Sequence, residues 1–181
     1  MPQVVPFPRL VQPIVPLVSW LTARYIAYHR RRLIPQAGAI PQDMLEPMAA
    51  FFPASVLAET RIVQARMPDP ILYPVAQGLG IKGLRKMSSI GAITLLDLVA
   101  YNGELDRSTL FHELVHAVQY RVLGLKEFAR FYVRGFLTGG AYEKIPLERQ
   151  AYQLGERFDR SPKNLFSVED EVIRWHLAGQ L

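Results

Sequence analysis

The stretch "LFHELVHAVQY", residues 110–120, sets two histidines and a glutamate inside an otherwise apolar run. His112 and His116 are four residues apart, so on an α-helix they project from one face, one turn above the other. Leu110, Phe111, Leu114, Val115 and Val118 cover most of the remaining circumference, and that spacing predicts a buried helix. Asp106 or Ser108 is placed to cap it. Two neutral imidazoles at this spacing can grip one small tetrahedral ion. Glu113 lies about 100° around the helix from His112 and points beside that ion, where a carboxylate can hold and deprotonate a water. The pattern is HExxH, with zinc on the histidines and the glutamate as general base. By average residue usage it arises by chance in on the order of one chain in a hundred of this length. A chance copy in such apolar surroundings leaves polar groups that cost about 1–3 kcal/mol each when uncompensated. The competing reading is a pair of core histidines satisfied by hydrogen bonds.

A hydrolytic zinc site takes three protein ligands and keeps one position open. "AVQYRVLGLK", residues 117–126, contains no further histidine, and only His29 and His176 remain elsewhere. The third ligand is therefore expected from a carboxylate on a second helix, within "AYEKIPLERQAYQLGERF", residues 141–158. Pro146 suits the first turn of that helix and Glu148 follows it. Small residues at Ala151 and Gly155 are expected to let it approach the HExxH helix closely. Glu148 is the preferred ligand, with Glu143 and His176 as alternatives. Between the two halves, Gly124 should end the first helix, residues 126–137 should form another, and Gly139-Gly140 should break it. An oxyanion formed at the site needs a further donor. Tyr152, four residues beyond Glu148, is the first candidate for this catalytic role; Tyr142 and His176 are others.

The rest of the chain frames this site. It has 181 residues, half of them apolar, which suits one packed domain with an appended segment. Cysteine is absent, which excludes disulfides, thiolate metal sites and a cysteine nucleophile. The net charge of +5 is uneven: no acidic residue precedes Asp43, while Arg9, Arg24, Arg30, Arg31 and Arg32 do. Residues 1–42 therefore read as a proline-rich basic arm and residues 43–181 as the domain proper. Within the arm, residues 1–16 should be extended, and residues 17–33 should form an amphipathic helix ending in three arginines. That helix either packs on the domain, lies at a membrane interface, or belongs to a signal peptide. A basic arm on a neutral domain argues against a nucleic-acid partner. "PQDMLEPMAAFFPASVL" suggests short helices, "AETRIVQARM" (58–67) a strand, and "GAITLLDLVAYNGELD" (91–106) two strands with a break between them and a turn signal at Asn102-Gly103. "GLGIKGLRKMSS" (78–89) lacks the order of a phosphate-binding loop.

"GAITLLDLVAYNGELDRSTLFHELVHAVQY", "FARFY" and "IPLERQAY" together resemble bacterial gluzincin-like zinc metallopeptidase domains of the contractile-injection-associated metallopeptidase-like group, over roughly Phe52 to Phe158. The resemblance implies an α+β, mainly helical minimal zincin-like fold with a small β-sheet preceding the HExxH helix. It also implies His112, His116 and Glu148 as zinc ligands and Glu113 as the base. The function expected is Zn2+-dependent hydrolysis of a peptide or protein substrate. Two alternatives stand beside it: a catalytically silent zinc-binding interaction module, and an adaptor using its basic arm on a membrane or nucleic acid. A cytoplasmic or membrane-associated location is expected over secretion, with residues 17–33 as the membrane contact.

Overall fold

Leu110, Phe111, Leu114, Val115 and Val118 are completely buried, so the helix carrying HELVH runs through the centre of the molecule. The computed structural model describes residues 12–69, 86–139, 142–161 and 163–180. Along them lie α1 (Val15–Leu33), β1 (Gly38–Ala39), α2 (Gln42–Leu45), α3 (Ala54–Glu59), β2 (Arg61–Gln64), β3 (Ala92–Leu95), β4 (Leu98–Tyr101), α4 (Arg107–Gly139), α5 (Pro146–Arg160) and α6 (Val168–Leu177). The fold is α+β and mainly helical, with its sheet ahead of the HExxH helix.

The start of α4 is set by Asp106, whose Oδ1 accepts the Thr109 N–H at 2.7 Å. That bond also holds the Asp106 carboxyl below its ordinary range. The other capping candidate, Ser108, donates instead to Asp159 on α5 at 2.7 Å. At Gly124 the backbone leaves helical geometry (φ 74°, ψ 160°), a conformation that a side chain disfavours, and the chain then resumes as a second arm. The first arm divides the core. On one side Phe51, Phe52, Phe111, Phe158 and Phe166 pack mostly edge-to-face, with Phe111 and Phe158 stacked. On the other, Leu95, Leu98, Tyr120, Phe128, Ile145 and Leu147 fill the space toward the sheet.

Strand order is β1-β2-β4-β3. β3 and β4 form an antiparallel hairpin closed by Leu96 and Asp97, β2 runs parallel to β4, and β1 pairs antiparallel with β2. Leu96 sits at φ 67°, a costly conformation for a branched side chain. Asp97 is clamped by Arg30 of α1 through both guanidinium and carboxylate ends. α1 thus packs on α4 and β3, with Ile26 and His29 buried beneath it.

Several local expectations change. The strand expected over 58–67 is confined to Arg61–Gln64, because Ala58 and Glu59 finish α3. α1 begins at Val15, with Pro16 in its first turn, and residues 12–14 form a 3₁₀ turn where extended chain was expected. Asn102-Gly103 leaves the sheet after β4 and does not close a hairpin. Residues 1–11 of the arm and 78–85 of the glycine-rich segment lie outside the described residues. The tight approach expected at Gly155 is not found there, since a Cβ at Gly155 meets nothing within 4 Å; a tight approach lies instead between the start of α5 and the second arm of α4, where a Cβ at Gly135 would lie 2.6 Å from Pro146 Cδ.

Gly135→Ala should therefore destabilise the protein by about 1–3 kcal/mol, by prying the second arm of α4 from the start of α5. Gly155→Ala should raise stability by up to about 1 kcal/mol through helix propensity alone. Urea unfolding midpoints of the two variants check the pair.

Candidate metal centre

The two histidines leave α4 on the face that meets α5. Their Nε2 atoms lie 3.1 Å apart. Glu148, in the first turn of α5, brings its Oε2 to 3.3 Å from His112 Nε2 and 3.4 Å from His116 Nε2. A tetrahedral ion with ligand bonds of about 2.0–2.1 Å separates its donor atoms by about 3.3–3.4 Å, so this triangle fits such an ion. Glu148 is 2% exposed, and its Oε2 receives no well-directed hydrogen bond despite the two ring nitrogens beside it. A buried carboxylate oxygen in that state is missing a partner. The three residues form one group able to hold a metal, and neither Glu143 nor His176 belongs to it. Glu143 and His176 are both exposed, and the His176 ring lies 6.2 Å from that of Phe131.

The ligands are held from behind. Gln119 is fully buried; its Nε2 donates to the Leu147 carbonyl at 3.0 Å and to Gln150 Oε1 at 3.1 Å. The Leu147 carbonyl can only accept, so the amide is oriented and Oε1 faces His116 Nδ1 at 2.7 Å. In its neutral form His116 then carries its proton on Nδ1, leaving the Nε2 lone pair for the triangle. Glu148 is held in the same way: its Oε1 accepts the Tyr132 hydroxyl at 3.0 Å. Burial and the Glu148 charge push the Tyr132 and Tyr142 phenols far above their ordinary range, so they stay donors.

Burial opposes charge on His116. The Glu148 carboxylate, with help from Glu113 and Gln119, outweighs it and pushes the imidazole up to about 9. Burial likewise opposes charge on Glu148, and the facing histidines outweigh it, holding the carboxyl well below its ordinary range. Without an ion, the three ligands are thus held together partly by a proton.

Glu113 is buried and bound to the sheet. Thr94 on β3 lies with its hydroxyl 2.7 Å from Glu113 Oε2 and 2.9 Å from the Glu113 carbonyl. Glu113, His116 and Glu148 line one cavity of about 80 Å³ together with Tyr132, Tyr142 and Tyr25. Tyr152 does not line it: its side chain is 45% exposed and its ring rests 4.6 Å from that of His112. A larger open cleft of about 310 Å³ beside Arg30, Glu59 and Arg121 contains neither Glu113 nor any of the three ligands, so its size does not make it the site. Gln119, Tyr132 and Thr94 went unread in the sequence. Gln119 alone had a signal there, as a polar residue one turn beyond His116 in an apolar run.

Comparison of the chain with family models, with curated proteins and with solved structures finds no match. Among the described residues no helix is long and apolar enough to cross a membrane.

The proton on His116 sets a sign. Its pKa is raised, so the stability it contributes to metal-free protein is complete below about 6.5 and is lost as pH rises through about 9. The lowered Glu148 contributes above about 4.5 and loses its contribution only in stronger acid. A divalent ion must displace the His116 proton, so the gain in Tm from zinc over chelator-treated protein should widen from pH 6 to pH 9. A gap independent of pH would remove His116 from the ligand set. Gln119→Leu should weaken zinc affinity about 10–100-fold in competition with a chromogenic chelator, by freeing the His116 tautomer.

Proposed function

We propose that this chain is a zinc-dependent metallopeptidase of the gluzincin-like kind. The observation that carries the reading is the triangle of His112, His116 and Glu148 donor atoms at tetrahedral spacing, two of whose members, His116 and Glu148, line a cavity together with Glu113. Two imidazoles and one carboxylate suit zinc, and cysteine is absent from the chain. When bound, such an ion lowers the pKa of water toward neutrality and polarises a carbonyl oxygen.

The protein's own groups supply the rest. Glu113 is the base that takes the proton of the attacking water and returns it to the leaving amine. Thr94 engages Oε2, leaving Oε1 as the oxygen free of that contact. Tyr142 lines the same cavity and its phenol is kept neutral by burial and the Glu148 charge, which suits it as a donor to an oxyanion there. Tyr152 stands outside the cavity beside His112, where it suits the positioning of a substrate side chain. β3 is the edge of the sheet and pairs only with β4 among the described residues. Its outer side suits an extended peptide added as a further strand. Thr22, Tyr25 and Ile26 of α1 form the facing wall.

Metal analysis by inductively coupled plasma mass spectrometry, with a peptide-library cleavage screen, tests this reading. About one zinc per chain is expected in the wild type and in Glu113→Gln, with loss in His112→Ala and Glu148→Ala. Cleavage should fall about 10²–10⁴-fold in Glu113→Gln. Iron in place of zinc would point to redox chemistry, since two histidines and a carboxylate also hold non-haem iron. Zinc with equal turnover in wild type and Glu113→Gln would leave a silent zinc-binding module.

A further inference from the structure

α1 has two dissimilar faces. Ser19, Ile26 and His29 are buried, Thr22, Tyr25 and Ile26 line the cavity of the metal centre, and Arg30 is clamped to Asp97. The orientation of the helix is therefore set from within. Its outer face carries Leu17, Trp20, Arg24, Tyr28 and Arg31, which fall within an arc of about 80° at 100° per residue, and the exposed Arg32 borders that arc about 40° beyond Tyr28. Leu17 is 60% exposed, and Trp20 and Tyr28 are each 58% exposed. Ile14, just before the helix, extends the same apolar character. The Arg24 guanidinium lies 5.7 Å from the Trp20 ring centre. Arg24, Arg31 and Arg32 have no carboxylate within salt-bridge distance among the described residues, and no acidic residue precedes Asp43 in the chain.

Large apolar side chains are rarely left exposed together on a helix that already has a buried face. We propose that the outer face of α1 is a docking surface for an anionic lipid bilayer, with Leu17 and Trp20 entering the headgroup boundary and Arg24, Arg31 and Arg32 pairing with acidic headgroups. Charge and side-chain chemistry together select this occupant. The entire net charge of +5 resides in residues 1–42, and cations beside Trp, Tyr and Leu are the composition of an interfacial helix. A second copy of the chain is disfavoured, because an isologous contact would set arginines against arginines with no acid to receive them. A nucleic acid finds cations here, but has no use for an exposed Leu17 and Ile14. The consequence for function is positional: the helix that touches the bilayer also walls the cavity, so the site would work at the membrane surface.

The outer residues can be exchanged without disturbing the core, which circular dichroism verifies. The chain has two tryptophans, so the full-length protein in a Trp175→Phe background reports on Trp20 alone. Binding is measured by co-sedimentation with vesicles of phosphatidylcholine, with and without phosphatidylglycerol. The expected result is partitioning into the phosphatidylglycerol vesicles, with a blue shift of Trp20 emission and weakening by salt. Arg24→Gln, Arg31→Gln and Arg32→Gln should each weaken partitioning about fivefold, and Leu17→Ser should weaken it about tenfold. The proposal is overturned by no partitioning, by equal partitioning into neutral vesicles, or by partitioning without a Trp20 shift. It is equally overturned if this face instead retains a single-stranded RNA, or if sedimentation equilibrium shows self-association that Leu17→Ser abolishes. Zinc content is read in the same samples, because the bilayer surface stands or falls independently of the metal centre.

Discussion

A buried carboxylate facing two buried imidazoles is the constraint around which this molecule is arranged. Glu148 on α5 and His112 and His116 on α4 meet in the interior, where an unmatched charge is far more costly than at the surface. The polar atoms there must be answered by others at fixed distances, and this sets how α5 lies along α4. A slip by one helical residue would rotate Glu148 away from the histidines by about 100°. The surrounding bonds allow no such slip: Gln119 reaches Leu147 and Gln150, Tyr132 reaches Glu148, and Thr94 reaches Glu113. Apolar packing alone would tolerate several arrangements; this network is satisfied by one.

The same network holds the two imidazoles and the carboxylate at a spacing that would suit an ion. In metal-free protein the raised His116 and lowered Glu148 share a proton's worth of attraction. His112, His116 and Glu148 are the residues that would hold such an ion, in place of the His116 proton. Rigid support comes from opposite sides. The aromatic cluster around Phe111 holds one flank of the HExxH helix, and Leu95, Leu98 and Leu147 hold the other. The edge strand β3 contributes through Thr94, which ties the general-base candidate to the sheet edge.

Much of this was legible in residue order because it depends on local periodicity. Histidines four apart in an apolar run, a glutamate between them, an aspartate three residues before Thr109, and a glycine at 124 all act through neighbours along the chain. Glu148 was legible as one of three choices, since a proline start and helical spacing place it on a face but do not say which helix that face meets. Where the reading went astray, distant contacts were responsible. Gly155 looked like the close approach because it follows Ala151 by one turn, yet the tight contact is between Gly135 and Pro146. The strand expected over 58–67 was shortened because α3 claims its first residues.

The sequence by itself determined the HExxH helix, its cap and its break, the helix that follows, and the concentration of positive charge in the first 42 residues, because each follows from spacing and side-chain chemistry along one segment. Tertiary structure decided which carboxylate completes the triangle and which tyrosines support it. It also decided that Gln119 orients His116 and that α1 walls the cavity with one face while presenting Leu17 and Trp20 outward. Those outcomes depend on which polar atoms find partners far along the chain, from 16 residues away for Tyr132 and Glu148 to 67 for Arg30 and Asp97. Such pairing is a property of packed helices and not of any one of them.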